Sequence, residues 1–416
     1  MAEPNRDITW DVIAPRSVAL RAFVVVPVAI LCLWLVAVTG ISNSRWRTNP
    51  AAAHAVWSAD ARAAAALGRA MLLGASDKPD TVAVAQALAV AALQRDSTVL
   101  TAYNVLGLGA DIAGKKLAAD RIFRYAHRLS RRDLATELWL IEANVARDDV
   151  RGALEHFDAA MSTSSRGWAT LSPILLAALD DPQLVVPIAD LAARKRWWSS
   201  GFQQLVAARA TPLPNATRFF MRLNAVGSRP SEVSMQTLVT RLVAAHMPEN
   251  AALLDALVVG ARHAGVRDGG FDQQRGLAPF RWELTENDKA TAERARRPDV
   301  PDNSALNFSV DGGFATVIAR QLVALRPGAY TLSADSYAEE ADGGWDLTWS
   351  VLCENAGNTA ASLQWPASTK GWITHRSRFV VPSDCPFQWI KLSAEGSRDA
   401  IRLIGWIDNV AVAPVR

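Results

Sequence analysis

Residues able to do chemistry are sparse in this 416-residue chain, and their spacing points to binding rather than turnover. Six histidines (His54, His127, His156, His246, His263 and His375) are scattered along it, with no H-E-x-x-H or comparable metal spacing. No G-x-S-x-G nucleophile elbow and no P-loop is present. Glu339, Glu340 and Asp342 form an acidic cluster. Paired carboxylates hydrolyse glycosides, but adjacent acids in a Gly-rich turn are expected to be solvated. The chain is therefore read as a non-enzyme with no required cofactor.

Aromatic residues are the candidates for binding. Seven of the fifteen tryptophans fall after residue 269: Trp282, Trp345, Trp349, Trp365, Trp372, Trp389 and Trp406. Sugar rings present flat C–H faces, and an indole offers them a large, rigid, amphipathic partner at low entropic cost. Trp345 and Trp349 alternate with polar residues on one strand face, beside Val351 and Cys353, and are expected in a core. Trp365 and Trp372 sit beside Pro366 and Gly371 in loop-like sequence and are the glycan-contact candidates. For both, a place in the core or at its rim is the other reading.

Of three cysteines, Cys32 lies in an apolar run, which leaves Cys353 and Cys385 as a pair. An even count suits a disulfide in an oxidising compartment. Closing a loop of that length is worth about 3–4 kcal/mol in the chain-entropy picture. Two unrelated buried thiols facing the cytoplasm are the alternative.

The run around Cys32 covers 22–41, AFVVVPVAILCLWLVAVTGI, twenty residues without a charge. At about 1.5 Å per residue it spans about 30 Å, the thickness of a bilayer's hydrocarbon core. Arg16 and Arg21 flank it on one side, Arg45 and Arg47 on the other. A cleaved signal peptide is the competing reading, but its apolar run is about 7–15 residues and ends at a small-x-small site. Here the preceding tail carries Glu3, Asp7 and Asp11 against three arginines, and Ala37-Val38-Thr39 is a poor cleavage site. A retained transmembrane helix is expected over 22–41, with a cytoplasmic tail over 1–21. Pro27, one turn inside, at most kinks it. Arginine counts on the two sides barely orient the helix. The cysteine pair does, and places the bulk of the chain outside the cytoplasm, anchored in the inner membrane.

Charge is unevenly shared. Residues 1–41 sum to zero, 42–268 to about six net positives and 269–416 to about three net negatives. No dense basic stripe of a nucleic-acid protein is present. The short runs Arg194-Lys195-Arg196 and Arg294, Arg296, Arg297 read as solvated faces.

Residues 50–268 are rich in Ala and Leu at helical spacing. Leu106, Ala119, Phe123 and Ala126 recur 34 residues later as Leu140, Ala153, Phe157 and Ala160, and the turn at Gly114 recurs at Asp148. With Tyr103, Gly107 and Ala110 added, this register resembles the tetratricopeptide repeat, most clearly over 66–167. Ser97 and Arg131 stand where the family closes with Pro. Small residues at Gly107, Ala119 and Ala153 let two helices approach, and Phe123 or Phe157 fills the groove between them. Beyond 167 degenerate helical hairpins are expected, with Asp181-Pro182 opening one of them. The resemblance implies a concave face that binds partner proteins.

From 269 to 416 short alternating segments separated by Gly- and Pro-rich turns predict an antiparallel jelly-roll sandwich. Strands are expected at Ala305–Val310, Ala315–Leu322, Tyr330–Tyr337, Trp345–Cys353, Arg378–Val381, Phe387–Leu392 and Ile401–Val412, with Thr285 to Asn303 as a surface loop. Gly269-Gly270-Phe271-Asp272 with Trp282, then Pro327-Gly328-Ala329-Tyr330-Thr331-Leu332, then Ile407-Asp408-Asn409-Val410-Ala411-Val412 together resemble carbohydrate-binding modules of the CenC type. That resemblance implies a galactose-binding-like fold, and a structural calcium helped by Asp272 and Asp408; turn-capping by both is the other reading.

The expected whole is multidomain: an N-terminal membrane helix, an all-α repeat scaffold and an all-β sandwich that contacts polysaccharide. Its role would be that of an adaptor in envelope or exopolysaccharide assembly. A pure protein-interaction scaffold whose sandwich binds no sugar is the rival.

Overall fold

The computed structural model describes residues 15–75, 78–261, 265–300, 302–312, 315–341, 344–355, 357–397 and 399–415. Of the expectations above, the tail over 1–14, His263 and Asp342-Gly343 lie outside them.

The apolar run forms helix α1 (Pro15–Arg45), whose stretch Phe23–Arg45 is long and apolar enough to cross a membrane. Side chains from Phe23 to Ala37 are exposed, whereas Val38 and Ser42 are buried. The Ser42 hydroxyl donates to Asp60 Oδ2 at 2.6 Å, and Arg62 Nη2 donates to Asn43 Oδ1 at 2.5 Å. One end of α1 is thus pinned to the helices that follow.

These are α2 (Pro50–Val56), α3 (Ala61–Ala75), α4 (Pro79–Arg95), α5 (Leu100–Ile112), α6 (Lys116–Leu129), α7 (Leu134–Val145) and α8 (Val150–Thr163). The starts of α5 and α7 lie 34 residues apart, as do those of α6 and α8. Ala119, Phe123, Ala126, Leu140, Ala153, Phe157 and Ala160 are buried, while Tyr103 and Leu106 are half-buried. Phe123 lies so close to Gly107 that a Cβ there would stand 2.5 Å from its ring. Asp133 and Asp149 cap α7 and α8, accepting from the Thr136 and Gly152 N–H groups at 3.1 and 2.9 Å.

The chain divides into two compact units, the first ending at Gly167 and the second beginning at Trp168. The boundary falls where the 34-residue period stops. The helices that complete the all-α part are α9 (Ser165–Ala177), α10 (Val185–Ala192), α11 (Ser199–Arg209), α12 (Leu213–Ala225), α13 (Glu232–Ala244) and α14 (Pro248–Val259). Asp181 opens no helix: its carboxylate accepts from Gln183 N at 2.8 Å in a turn, and α10 starts only at Val185.

The sandwich belongs to the second unit. Its strands are β1 (Glu283–Leu284), β2 (Ala290–Arg296), β3 (Ser304–Asp311), β4 (Thr316–Val323), β5 (Gly328–Ala341), β6 (Trp345–Cys353), β7 (Thr359–Pro366), β8 (Ile373–Val381), β9 (Gln388–Gly396) and β10 (Arg402–Pro414). They form two antiparallel sheets, ordered β1-β4-β9-β6-β7 and β2-β3-β10-β5-β8. Between them lies one core holding Leu306, Phe308, Leu332, Trp349, Ile390 and Ile407. Strand β6 shows why: Trp345, Leu347, Trp349, Val351 and Cys353 are buried in strict alternation with more exposed residues. Cys353 and Cys385 are joined by a disulfide, and Cys32 is free on α1.

Two stretches read as loops are strands. The segment Thr285 to Asn303 contains β2, paired with β3 from Ala290 to Arg296. Its inward positions include Ala290 and Ala292, too small for a hydrophobic alternation to be seen. The residues around Trp365 form β7, paired with β6. Nor is the basic run there solvated throughout. Arg294 pairs with Asp268 at 3.2 Å and Arg297 with Asp299 and Asp408, leaving Arg296 exposed.

Candidate functional site

The outward face of the second sheet gathers the aromatic and acidic residues. In β5, Leu332, Ala334, Ser336 and Ala338 are buried, so Ser333, Asp335 and Tyr337 point away from the core. Directly opposed residues of an antiparallel pair share a face. Register therefore places Trp406 and Asp408 of β10 beside Tyr337 and Asp335, and Thr374 of β8 beside Asp335. Trp372, immediately before β8, completes the cluster with its ring 5.8 Å from that of Tyr337. Trp372 and Tyr337 are half-buried, which leaves part of each ring to solvent.

Polar groups hold these rings in place. The Arg297 guanidinium stacks 3.7 Å from the centre of the Trp372 ring, and Asp299 accepts from Arg297 Nε and Nη2 at 2.7 and 3.0 Å. Those hydrogen bonds hold the Asp299 carboxyl below its ordinary range. Trp406 Nε1 donates to Glu339 at 2.8 Å. Asp335 accepts from Thr374 Oγ1 at 2.5 Å and from Asn409 Nδ2 at 2.8 Å. An aromatic shelf edged by carboxylates and an arginine can stack on a sugar ring and hydrogen-bond its hydroxyls.

Trp365 is not part of this shelf. It is 4% exposed and stacks on His375, centroids 4.7 Å apart, while its Nε1 donates to Ser377 Oγ at 3.0 Å. A ring enclosed in the core offers no face to a glycan. Burial holds the His375 ring below its ordinary pKa, and the Asp335 charge opposes the shift. Trp345 and Trp349 are core residues too.

The opening and closing motifs meet at Gly270. A Cβ on that residue would lie 2.9 Å from Asp272 Oδ2 and 3.8 Å from Asp408 Oδ1. Gly269 backs directly onto the β10 bulge, its carbonyl accepting from Val410 N at 2.9 Å. The donor set does not fit calcium at Asp408. Both oxygens of this buried carboxylate are taken by N–H groups: Oδ2 by Arg297 Nη1 and Asn303 Nδ2, both at 2.8 Å, and Oδ1 by Asn409 N at 2.7 Å. Calcium requires oxygen ligands, and here the facing cation is a guanidinium. Asp272 accepts from Ser304 N at 3.3 Å, so it ties down a strand start.

A second aromatic position lies on the outward face of the first sheet. Trp389 donates through Nε1 to Glu354 and is flanked by Arg320 and Lys391, 4.9 and 5.9 Å from the ring centre. A groove of about 380 Å³ beside it is lined by Glu283, Leu284, Thr285, Val317, Arg320 and Lys391. Burial, with the Arg320 charge, holds the Lys391 amine below its ordinary pKa. Tyr337, Trp389 and Trp406 were not singled out as ligand contacts from sequence. For Tyr337 and Trp389 the signal available is strand parity, since each is out of phase with the buried residues of its own strand; Trp406 is itself buried in β10 and offers no such signal.

No protein-family model and no curated protein matches the chain. Among solved structures, a CBM4 module is similar at 16% identity, covering 36% of this chain and 99% of that one, with a TM-score of 0.28. TmCBM61, solved in complex with beta-1,4-galactotriose, is similar at 18% identity over 37% of this chain and 100% of its own (TM-score 0.27). The CBM22-1 xylan-binding domain from Paenibacillus barcinonensis is similar at 11% identity over 32% and 86% (TM-score 0.26).

Proposed function

We propose that the protein is a membrane-anchored, extracytoplasmic adaptor: tetratricopeptide-like repeats gather partner proteins, and the sandwich contacts a polysaccharide through Trp372 and Tyr337. The observation that carries this reading is the pair of half-buried rings on the solvent side of the second sheet, edged by Asp335, Arg297 and Asp299. Retention of α1 as an anchor is supported by the burial of Val38 and Ser42 and by the Ser42–Asp60 hydrogen bond. A leader removed after export has no use for such contacts. The Cys353–Cys385 disulfide supports an oxidising compartment. The 34-residue offset of successive helix pairs supports the repeat reading. Accessory work in envelope or exopolysaccharide assembly is the role that joins a lipid anchor, a protein-binding array and a sugar-binding face. It includes no chemical step.

Affinity electrophoresis of the full chain in detergent, through gels containing xylan, galactan or bacterial exopolysaccharide, tests the proposal. Retardation by at least one polysaccharide, lost in Trp372→Ala and kept in Trp389→Ala, is the expected result. Loss only in Trp389→Ala moves the contact to the first sheet. No retardation by any polysaccharide favours the pure protein scaffold.

A further inference from the structure

Three side chains that lie far apart in the sequence meet in the first compact unit. His127 lies in the last turn of α6, Glu137 in the first turn of α7 and His156 in α8. His127 Nδ1 is 2.6 Å from Glu137 Oε1, and His156 Nδ1 is 2.7 Å from Glu137 Oε2. The two imidazoles meet edge to face with centroids 4.8 Å apart. Glu137 has no exposed side-chain surface, whereas His127 and His156 keep 23% and 13%. Among the described residues no lysine or arginine pairs with Glu137.

A buried carboxylate is costly unless it is paired or binds a metal. Here two imidazole nitrogens and a carboxylate converge within 4.8 Å of one another. That set suits a borderline divalent ion and is wrong for calcium or magnesium, which take oxygen ligands. We propose that His127, Glu137 and His156 form a zinc site that staples α6, α7 and α8 together.

Zinc–nitrogen and zinc–oxygen bonds of about 2.0–2.2 Å in a tetrahedral array set ligand atoms about 3.3 Å apart. The N···O contact to the ligating oxygen therefore opens by about 0.6 Å as the ion enters, while ligand atoms now up to 4.8 Å apart close toward it. Each imidazole loses its Nδ1 proton to solvent and gives that lone pair to zinc, and a ring that was neutral takes a proton from solvent at Nε2 in exchange. Two Zn–N bonds and one Zn–O bond then replace the N–H···O hydrogen bonds, and a doubly protonated ring sheds its extra proton to solvent. Three protein ligands leave a fourth position for water or for a donor from a partner protein. The ion crosses from the α5–α6 pair to the α7–α8 pair, so its first effect is on the cohesion of the repeats.

Full-length, untagged protein in detergent is stripped with a chelator, then titrated with Co²⁺ by visible absorption and with Zn²⁺ by calorimetry. One ion per chain, a cobalt band abolished by equimolar zinc, and a melting temperature raised by saturating zinc are expected. His127→Gln and His156→Gln should each weaken zinc binding by at least about 100-fold, beyond the loss from removing an outer-shell partner. No saturable cobalt band up to millimolar metal, or unchanged zinc affinity in His156→Gln, overturns the proposal. X-ray absorption fine structure of the zinc-loaded wild type needs no variant. A shell with two imidazoles supports the site, and one of oxygen alone overturns it.

Discussion

Arg297 Nη1 donates to Asp408 Oδ2 at 2.8 Å, joining the end of β2 to the closing strand across 111 residues of sequence. Asp408 is fully buried, and Arg297 keeps 13% of its side chain exposed. Removing one partner of such a pair leaves an uncompensated charge, at a cost of about 3–5 kcal/mol. Arg297→Gln should therefore lower the sandwich's thermal midpoint sharply, and Arg297→Gln with Asp408→Asn should recover part of the loss. Adding calcium or EGTA should move neither midpoint, since N–H groups already occupy both oxygens of Asp408. A stabilisation by calcium that vanishes in Asp408→Asn would contradict this assignment.

Trp365 and Trp372 have opposite fates. Trp365→Ala empties a core position next to Trp349 and His375, and large-to-small changes of this kind cost about 3–5 kcal/mol. Trp372→Ala loses a cation–π contact and a half-buried ring, worth about 1–2 kcal/mol. Denaturation midpoints should separate the two variants in that order. Under the proposed glycan contact, polysaccharide retention should fall in Trp372→Ala while the sandwich is still folded, and in Trp365→Ala only as the sandwich unfolds.

Much of the architecture was legible because it rests on period alone. Twenty uncharged residues mark α1, the 34-residue recurrence marks the α5–α8 pairs, and β6 alternates without interruption. What escaped was whatever the period does not encode. Alanines at Ala290 and Ala292 give β2 no hydrophobic contrast, and Pro366 beside Trp365 mimics a loop although it sits on β7, an edge strand of the first sheet, where a missing N–H is tolerated. The glycan candidates split for that reason. In sequence Arg297 reads as solvent-facing because its partner Asp408 lies 111 residues away. His127 and His156 carry no motif, since Glu137 unites them only after three helices have packed.

Acid should loosen the protein in two stages. Burial, opposed by the Asp335 charge, holds the pKa of His375 below the ordinary 6.5, with its ring stacked on Trp365. The unfolded chain then binds more protons as the pH falls through that value, so His375's contribution is intact above about pH 6.5 and declines below it. Asp60 acts lower down. Burial raises its pKa, but hydrogen bonds from Ser42 and from the Arg62 and Ala63 N–H groups, with the Arg62 charge, hold it below 3.8. Its stabilisation is present above that value and is lost as the pH drops through the folded pKa. His375→Asn should flatten the midpoint-versus-pH curve just below about pH 6.5, and Ser42→Ala should weaken the tie between α1 and α3 at every pH above about 4.

Gly114 and Asp148 occupy equivalent turns with φ of +72° and +56°, both left-handed. The backbone demand is the same, but only one position carries the residue that meets it freely. A Cβ in that region costs about 1–2 kcal/mol, less for Asp and Asn. Gly114→Ala should destabilise the first unit by about 1 kcal/mol, and Asp148→Gly should leave it unchanged or stabilise it by up to about 1 kcal/mol. The added Cβ at Gly114 meets no neighbouring atom within 4 Å, so crowding cannot produce the difference. Gly107→Ala makes the contrast, because there the Cβ would press into Phe123 at 2.5 Å while the backbone stays helical. Overpacking of this kind costs about 1–3 kcal/mol. Pairing it with Phe123→Leu should relieve much of that loss, whereas the same second change should do nothing for Gly114→Ala. Urea midpoints of the single and double variants measure both couplings, and equal coupling at the two glycines would show that strain and crowding had been wrongly assigned.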